Sequence, residues 1–220
     1  MRLRERFGFD ERRFGQLTRL MEFALVGMLF VGLERGHTGI IVNTAVALGV
    51  TQLVPVLERD VGIPMDPALT LWITAAVFLH ALGAVGIPGT ELESFYRQVW
   101  WWDHMTHALS ASVVAAAGYA TARAIDLHSE EVSLPPRFMF VFILLLTVAF
   151  GVFWEVIEFA IAEAAAVMGG APVLTQYGLD DTLLDLVFDT IGAVVVATWG
   201  TAYLGDVVGA ITDRFDARSG

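Results

Sequence analysis

Three short segments place carboxylates and imidazoles inside strongly apolar sequence. They are Trp102-Asp103-His104-Met105-Thr106-His107, Trp154-Glu155-Val156-Ile157-Glu158, and Asp180-Asp181-Thr182-Leu183-Leu184-Asp185 running on to Asp189. A carboxylate at the centre of a membrane helix costs about 2.5–3.5 kcal/mol on insertion scales. A chain that carries several must pair them, bind a cation with them, or line a wet cavity. Helical spacing groups them: Asp103 and His107 are four apart, Glu155 and Glu158 three apart, and Asp181, Asp185 and Asp189 form an i, i+4, i+8 stripe. Such pairs on neighbouring helices suit a metal site in a bundle core. Oxygen donors with one or two imidazoles fit zinc, manganese, iron or magnesium, and a bound divalent ion offsets carboxylate repulsion and can activate water.

Each residue also has a plainer reading. Asp103 and His104 fit a helix start at the membrane interface, with Asp103 as a cap or first-turn acid and His104 facing water. Asp180 and Asp181 fit the cap of a following helix. Capping does not account for Glu155 and Glu158, which follow a long apolar run, or for Asp185 and Asp189, which lie too deep. For Glu155 and Glu158 the plain alternative is an internal ion pair, and Asp185 and Asp189 point to a shared polar site. His80 is equally a packing histidine or a ligand. Asn43 and Gln52 suit interhelical hydrogen bonds. His37 and His128 read as loop residues. Trp154 either desolvates Glu155 or faces lipid.

The elements that must hold these groups follow from composition. Of 220 residues, 56% are hydrophobic and 17% charged, with mean hydropathy +0.64; soluble domains carry about 25% charged residues. The apolar residues fall into runs of membrane-spanning length, predicting an all-α integral membrane helical bundle of about six transmembrane helices. The spans are Leu17–Leu33, Thr38–Leu57, Pro67–Gly86, Asp103–Ala124, Pro136–Val167 and Thr182–Leu204. A charged arm at 1–17 precedes the membrane domain 18–208, and a tail at 209–220 follows it. Small residues along the fourth span, from Ala108 to Gly118, predict a central, closely packed helix.

Arginine orients the bundle. With both termini cytoplasmic, Arg35 and Arg97 alone lie outside, and every other arginine lies inside, as the positive-inside rule favours. All three acidic segments then sit toward the extracytoplasmic side of a multi-pass plasma-membrane protein. The loop from Ile87 to Trp101 lies outside, with Pro88, Gly89, Glu91 and Glu93. The run Trp100-Trp101-Trp102 reads as an interfacial anchor, and the Gly- and Pro-bearing loop 169–181 as irregular backbone.

The net charge is −11, and all 13 basic residues are arginine. That balance suits exposed loops in concentrated salt, with a GC-rich genome as the alternative cause. It argues against nucleic acid as a partner. The absence of cysteine excludes disulfides, thiolate catalysis and cysteine-zinc sites. No Ser-His-Asp grouping or Gly-rich phosphate loop stands out.

The segment from Trp102 to Gly192 resembles the YjdF-type small inner-membrane proteins and, more distantly, VanZ-like proteins. The resemblance rests on Trp102-Asp103 with His107, on Trp154-Glu155 with Glu158, and on Asp181-Thr182, Asp185 and Gly192-Ala193. In these families the position after the first Asp is often Lys; here it is His104. The resemblance implies a polytopic helical membrane protein and supplies no established reaction.

The leading expectation is therefore a divalent metal ion near the extracytoplasmic face. Glu155, Glu158, Asp185 and His107 are the expected ligands, with Asp103, Asp181 and Asp189 as further ligands or supports. The chemistry would be metal-dependent hydrolysis or transfer on a lipid or lipid-linked substrate taken from the bilayer. The alternatives are a proton or cation transporter and a structural or accessory subunit.

Overall fold

The computed structural model describes residues 11–86, 94–174, 177–200 and 203–219. Within these, all regular structure is helical: α1 (Glu11–Arg35), α2 (Thr38–Arg59), α3 (Pro67–Gly83), α4 (Phe95–Gln98), α5 (Trp102–His128), α6 (Pro136–Met168), α7 (Leu179–Trp199) and α8 (Gly205–Ser219). Five of them (α1, α2, α5, α6 and α7) are long and apolar enough to cross a membrane. The third expected span, α3, has 17 residues. At 1.5 Å per residue it reaches only about 25 Å, short of a hydrocarbon core of about 30 Å.

Local chemistry sets the helix ends. Asp66 caps α3, its carboxylate accepting from Ala68 N at 2.8 Å and Leu69 N at 2.9 Å, with Pro67 in the first turn. His37 caps α2 by accepting the Ile40 amide on Nδ1 at 3.3 Å, so it is not an idle loop residue. Pro136 opens α6, and Gly169, with φ of +70°, closes it in the left-handed conformation that favours glycine.

The helices form two groups. α1, α2 and α3 pack on one another; α5, α6 and α7 do the same, with α8 added against α5. α3 joins the groups through α5: the Trp72 indole donates to Ser112 Oγ at 3.0 Å, and the Trp102 indole to Leu79 O at 3.1 Å. α5 is the hub, touching α3, α6, α7 and α8. Its small residues explain this, because Ala111, Ser112, Ala115 and Ala116 are all buried. The most extensive interface is α5 on α7. A Cβ on Gly192 would lie 2.2 Å from Ala108 O, so only glycine permits that approach.

Several expectations change. The sixth span ends at Trp199, and Leu204 and Val208 are buried where α8 packs. The expected boundaries at 17/18 and 208/209 fall inside α1 and α8. His128 closes α5 and contacts Asp216 of α8. In the tryptophan run, Trp100 and Trp101 are exposed as an interfacial anchor requires, but Trp102 is buried. Arg2, Arg4 and Arg6 of the arm, and Pro88, Gly89, Glu91 and Glu93 of the third loop, lie outside the described residues.

Candidate metal centre

The acidic segments converge where the start of α5, the start of α7 and the second half of α6 meet. On α5, His104 and His107 are three apart; on α7, Asp185 and Asp189 are four apart. The helices set these against each other as two rungs. His104 Nδ1 lies 2.8 Å from Asp185 Oδ1, and His107 Nδ1 lies 3.3 Å from Asp189 Oδ1. All four side chains are buried. An ionised carboxylate only accepts, so Nδ1 is the donor in each rung, and a neutral His107 keeps its lone pair on Nε2.

Three carboxylates from three helix positions surround that lone pair. Asp103 Oδ1 lies 3.8 Å from His107 Nε2, Glu155 Oε1 3.9 Å and Asp185 Oδ2 3.9 Å. These separations are too long for hydrogen bonds. They are a few tenths of an ångström wider than the spacing of donors around one tetrahedral ion, where atoms about 2.0–2.2 Å from a common metal stand roughly 3.4 Å apart, so a bound ion would draw the side chains slightly inward. One donor atom each of Asp103, His107 and Asp185 lies within 4.8 Å of the other two.

The other atoms of the same side chains are held. Asp189 fixes His107 Nδ1, and His104 fixes Asp185 Oδ1. The Thr182 hydroxyl donates to Glu155 Oε2 at 2.7 Å. Metal ligands in proteins are oriented by outer contacts of this kind. His104 also stacks on Phe188, with ring centroids 5.1 Å apart.

The expected residues therefore divide. Asp103, His107, Asp185 and Glu155 come together, and Asp189 supports them. Asp103 does not serve as a cap: α5 starts at Trp102 without a side-chain cap, and the Asp103 carboxylate turns inward to His107. Glu158 is buried but turns elsewhere, accepting the Trp154 indole N–H at 3.1 Å. Trp154 is thus tied to Glu158 rather than to Glu155. Asp181 accepts the Tyr177 amide at 3.1 Å, and one of its oxygens also lies within 4.8 Å of donor atoms of both His104 and Asp185. His104, expected to face water, is 6% exposed and is the residue sequence reasoning missed. Its spacing of three from His107 was the available signal.

Two chambers border the cluster. A polar vestibule of about 330 Å³ is lined by Asp103, Glu158, His80, Tyr96, Arg97 and Tyr177, among others. The Tyr96 hydroxyl lies 2.8 Å from His80 Nδ1 and donates to His80 O at 3.0 Å. Burial raises the Tyr177 phenol above the usual tyrosine range, with Arg97 acting the other way, so it remains a neutral donor. Asn43 donates to Val173 O at 3.1 Å and ties α2 to the loop after α6. A second, apolar cleft of about 520 Å³ reaches His107 and Asp189 from the side of α2.

This placement falls within the segment shared with known proteins. Residues 17–206 match the family described as predicted membrane protein DUF2238, which takes in all six expected spans and the whole cluster. The chain belongs to this family. A protein of Thermotoga maritima, described as an uncharacterized protein, is 32% identical over 127 residues, covering 58% of this chain and 58% of that protein. The chain thus spans little more than half the length of that curated relative. No solved structure matches.

Proposed function

We propose that this DUF2238 member binds one divalent cation between α5 and α7 and uses it for hydrolysis or group transfer on a lipid-type substrate. Asp103 Oδ1, His107 Nε2 and Asp185 Oδ2 hold the ion, and Glu155, beside them and steadied by Thr182, is the general base. The ion supplies Lewis acidity and a water of lowered pKa. The chain supplies orientation: Asp189 sets the His107 tautomer, and His104 aims Asp185. The observation that carries this reading is the ring of three carboxylate oxygens at 3.8–3.9 Å from a single imidazole nitrogen. Interhelical pairing explains the two rungs; the three further acids around one ring nitrogen are an arrangement that a bound cation would stabilise.

The orientation is read from arginine placement, with the site toward the extracytoplasmic face of the plasma membrane. The VanZ-like likeness rests on the three motifs alone and adds nothing to the choice of reaction.

Elemental analysis of the purified protein tests the metal. The wild type should carry about one divalent ion per chain after exposure to manganese or zinc and removal of excess. Asp185→Asn and His107→Ala should carry almost none, while Glu155→Gln keeps its ion. Equal, sub-stoichiometric metal in wild type and both ligand variants would defeat the proposal and leave the cluster as interhelical bonding.

A further inference from the structure

α2 packs against α1 and α3, and among the described residues it has no extensive contact with α5, α6 or α7. The apolar cleft of about 520 Å³ fills the resulting gap. Val42, Val46 and Val50 of α2 form one wall, and Val114 of α5 and Phe150 of α6 stand opposite. A bundle in a bilayer does not leave such a gap to water: apolar walls of this kind are covered by hydrocarbon.

The cleft is not a plain lipid-facing groove, because part of its lining is polar, His107 and Asp189 included. Asp189 is 3% exposed, and among the described residues its Oδ2 makes no hydrogen bond. The cleft shares Asn43, His80, Val173 and Leu174 with the polar vestibule. The two chambers therefore meet beside the candidate metal centre, one apolar and one polar. A ligand that fills both has a hydrocarbon part and a polar part joined at the site.

We propose that the cleft between α2 and α6 holds a long hydrocarbon chain of an amphiphilic lipid whose polar head occupies the vestibule. Taking each methylene as roughly the volume share of one water, about 30 Å³, the cleft holds on the order of seventeen such groups, enough for one long chain. The head then lies among Asp103, Glu158, Arg97, Tyr96 and Tyr177. This deepens the metal-dependent reading and rests on it for the chemistry at the head, but the cleft itself stands on packing.

The test uses the full chain in nanodiscs and a lysophosphatidylglycerol with a diazirine near the end of its acyl chain. After illumination, adducts are mapped by peptide mass spectrometry, and bound metal is measured on the same samples. Adducts should concentrate on Val50, Val114 and Thr147, which line the cleft and are not exposed, over the exposed Phe153 and Val156. Val46→Trp should cut cleft adducts at least tenfold with metal content unchanged; Val50→Phe serves if that variant does not fold. Adducts spread evenly over Phe153, Val156 and the cleft, or cleft adducts untouched by the bulky variants, overturn the proposal whatever the metal content. Cleft adducts in a protein that binds no metal would leave the lipid site standing and remove the metal-dependent reading instead.

Discussion

His107 is the side chain on which the others converge, with Asp189 on one ring nitrogen and Asp103, Glu155 and Asp185 around the other. Supports of this kind typically change metal affinity by about 10–100-fold when removed. His104→Ala and Asp189→Asn should each weaken manganese binding by about that factor in a competition assay, with stoichiometry recoverable at high metal. Asp103→Asn should lose far more. The sequence made the pairing of His107 with deep acids legible, because acids past the first turn have no capping role. It did not separate Glu155 from Glu158. Residues three apart on a helix differ by about 60° around its axis, enough to turn one toward His107 and the other toward Trp154 and the vestibule. His104 was misjudged because a helix start next to tryptophans looks like an interface; the packing of α7, through Asp185 and Phe188, covers it.

At the scale of helices, glycine sets how closely the site's walls approach. A Cβ on Gly151 would lie 2.1 Å from Asp189 Oδ2. The carboxylate tip can rotate away, so Gly151→Ala should fold yet bind metal about as weakly as Asp189→Asn, measured in the same competition assay. Gly192 is different, because its Cβ would meet the Ala108 backbone oxygen at 2.2 Å, and backbone cannot rotate aside. Gly192→Leu should destabilise the α5–α7 interface by at least the roughly 1–3 kcal/mol of ordinary overpacking, seen as a lower midpoint in detergent thermal unfolding. The run of small residues on α5 announced a central helix, and α5 is the hub of the bundle. The shortness of α3 was less visible, because apolar sequence continues past Gly83 to Ile87 while the helix stops.

At the scale of the molecule, arginine asymmetry and six apolar runs made the helical membrane class and the gathering of the acids at one end legible. The cleft was not legible, because a gap between α2 and α6 depends on which helices fail to touch, and no local pattern encodes that. The absence of cysteine makes topology directly testable. A single cysteine at Asp180 should react with a membrane-impermeant maleimide in intact cells, and one at Asp213 should react only after the membrane is opened. The reverse pattern would place the site on the cytoplasmic side.

The central claim is that one imidazole, that of His107, joins carboxylates around a single ion. Electron spin echo spectroscopy of the manganese-loaded protein reads this directly, since a coordinated imidazole nitrogen modulates the manganese signal. The account predicts one nitrogen coupling, present in wild type and in His104→Ala loaded at high manganese, and absent in His107→Ala. No nitrogen coupling in the wild type, or a coupling lost with His104 and kept without His107, would contradict it.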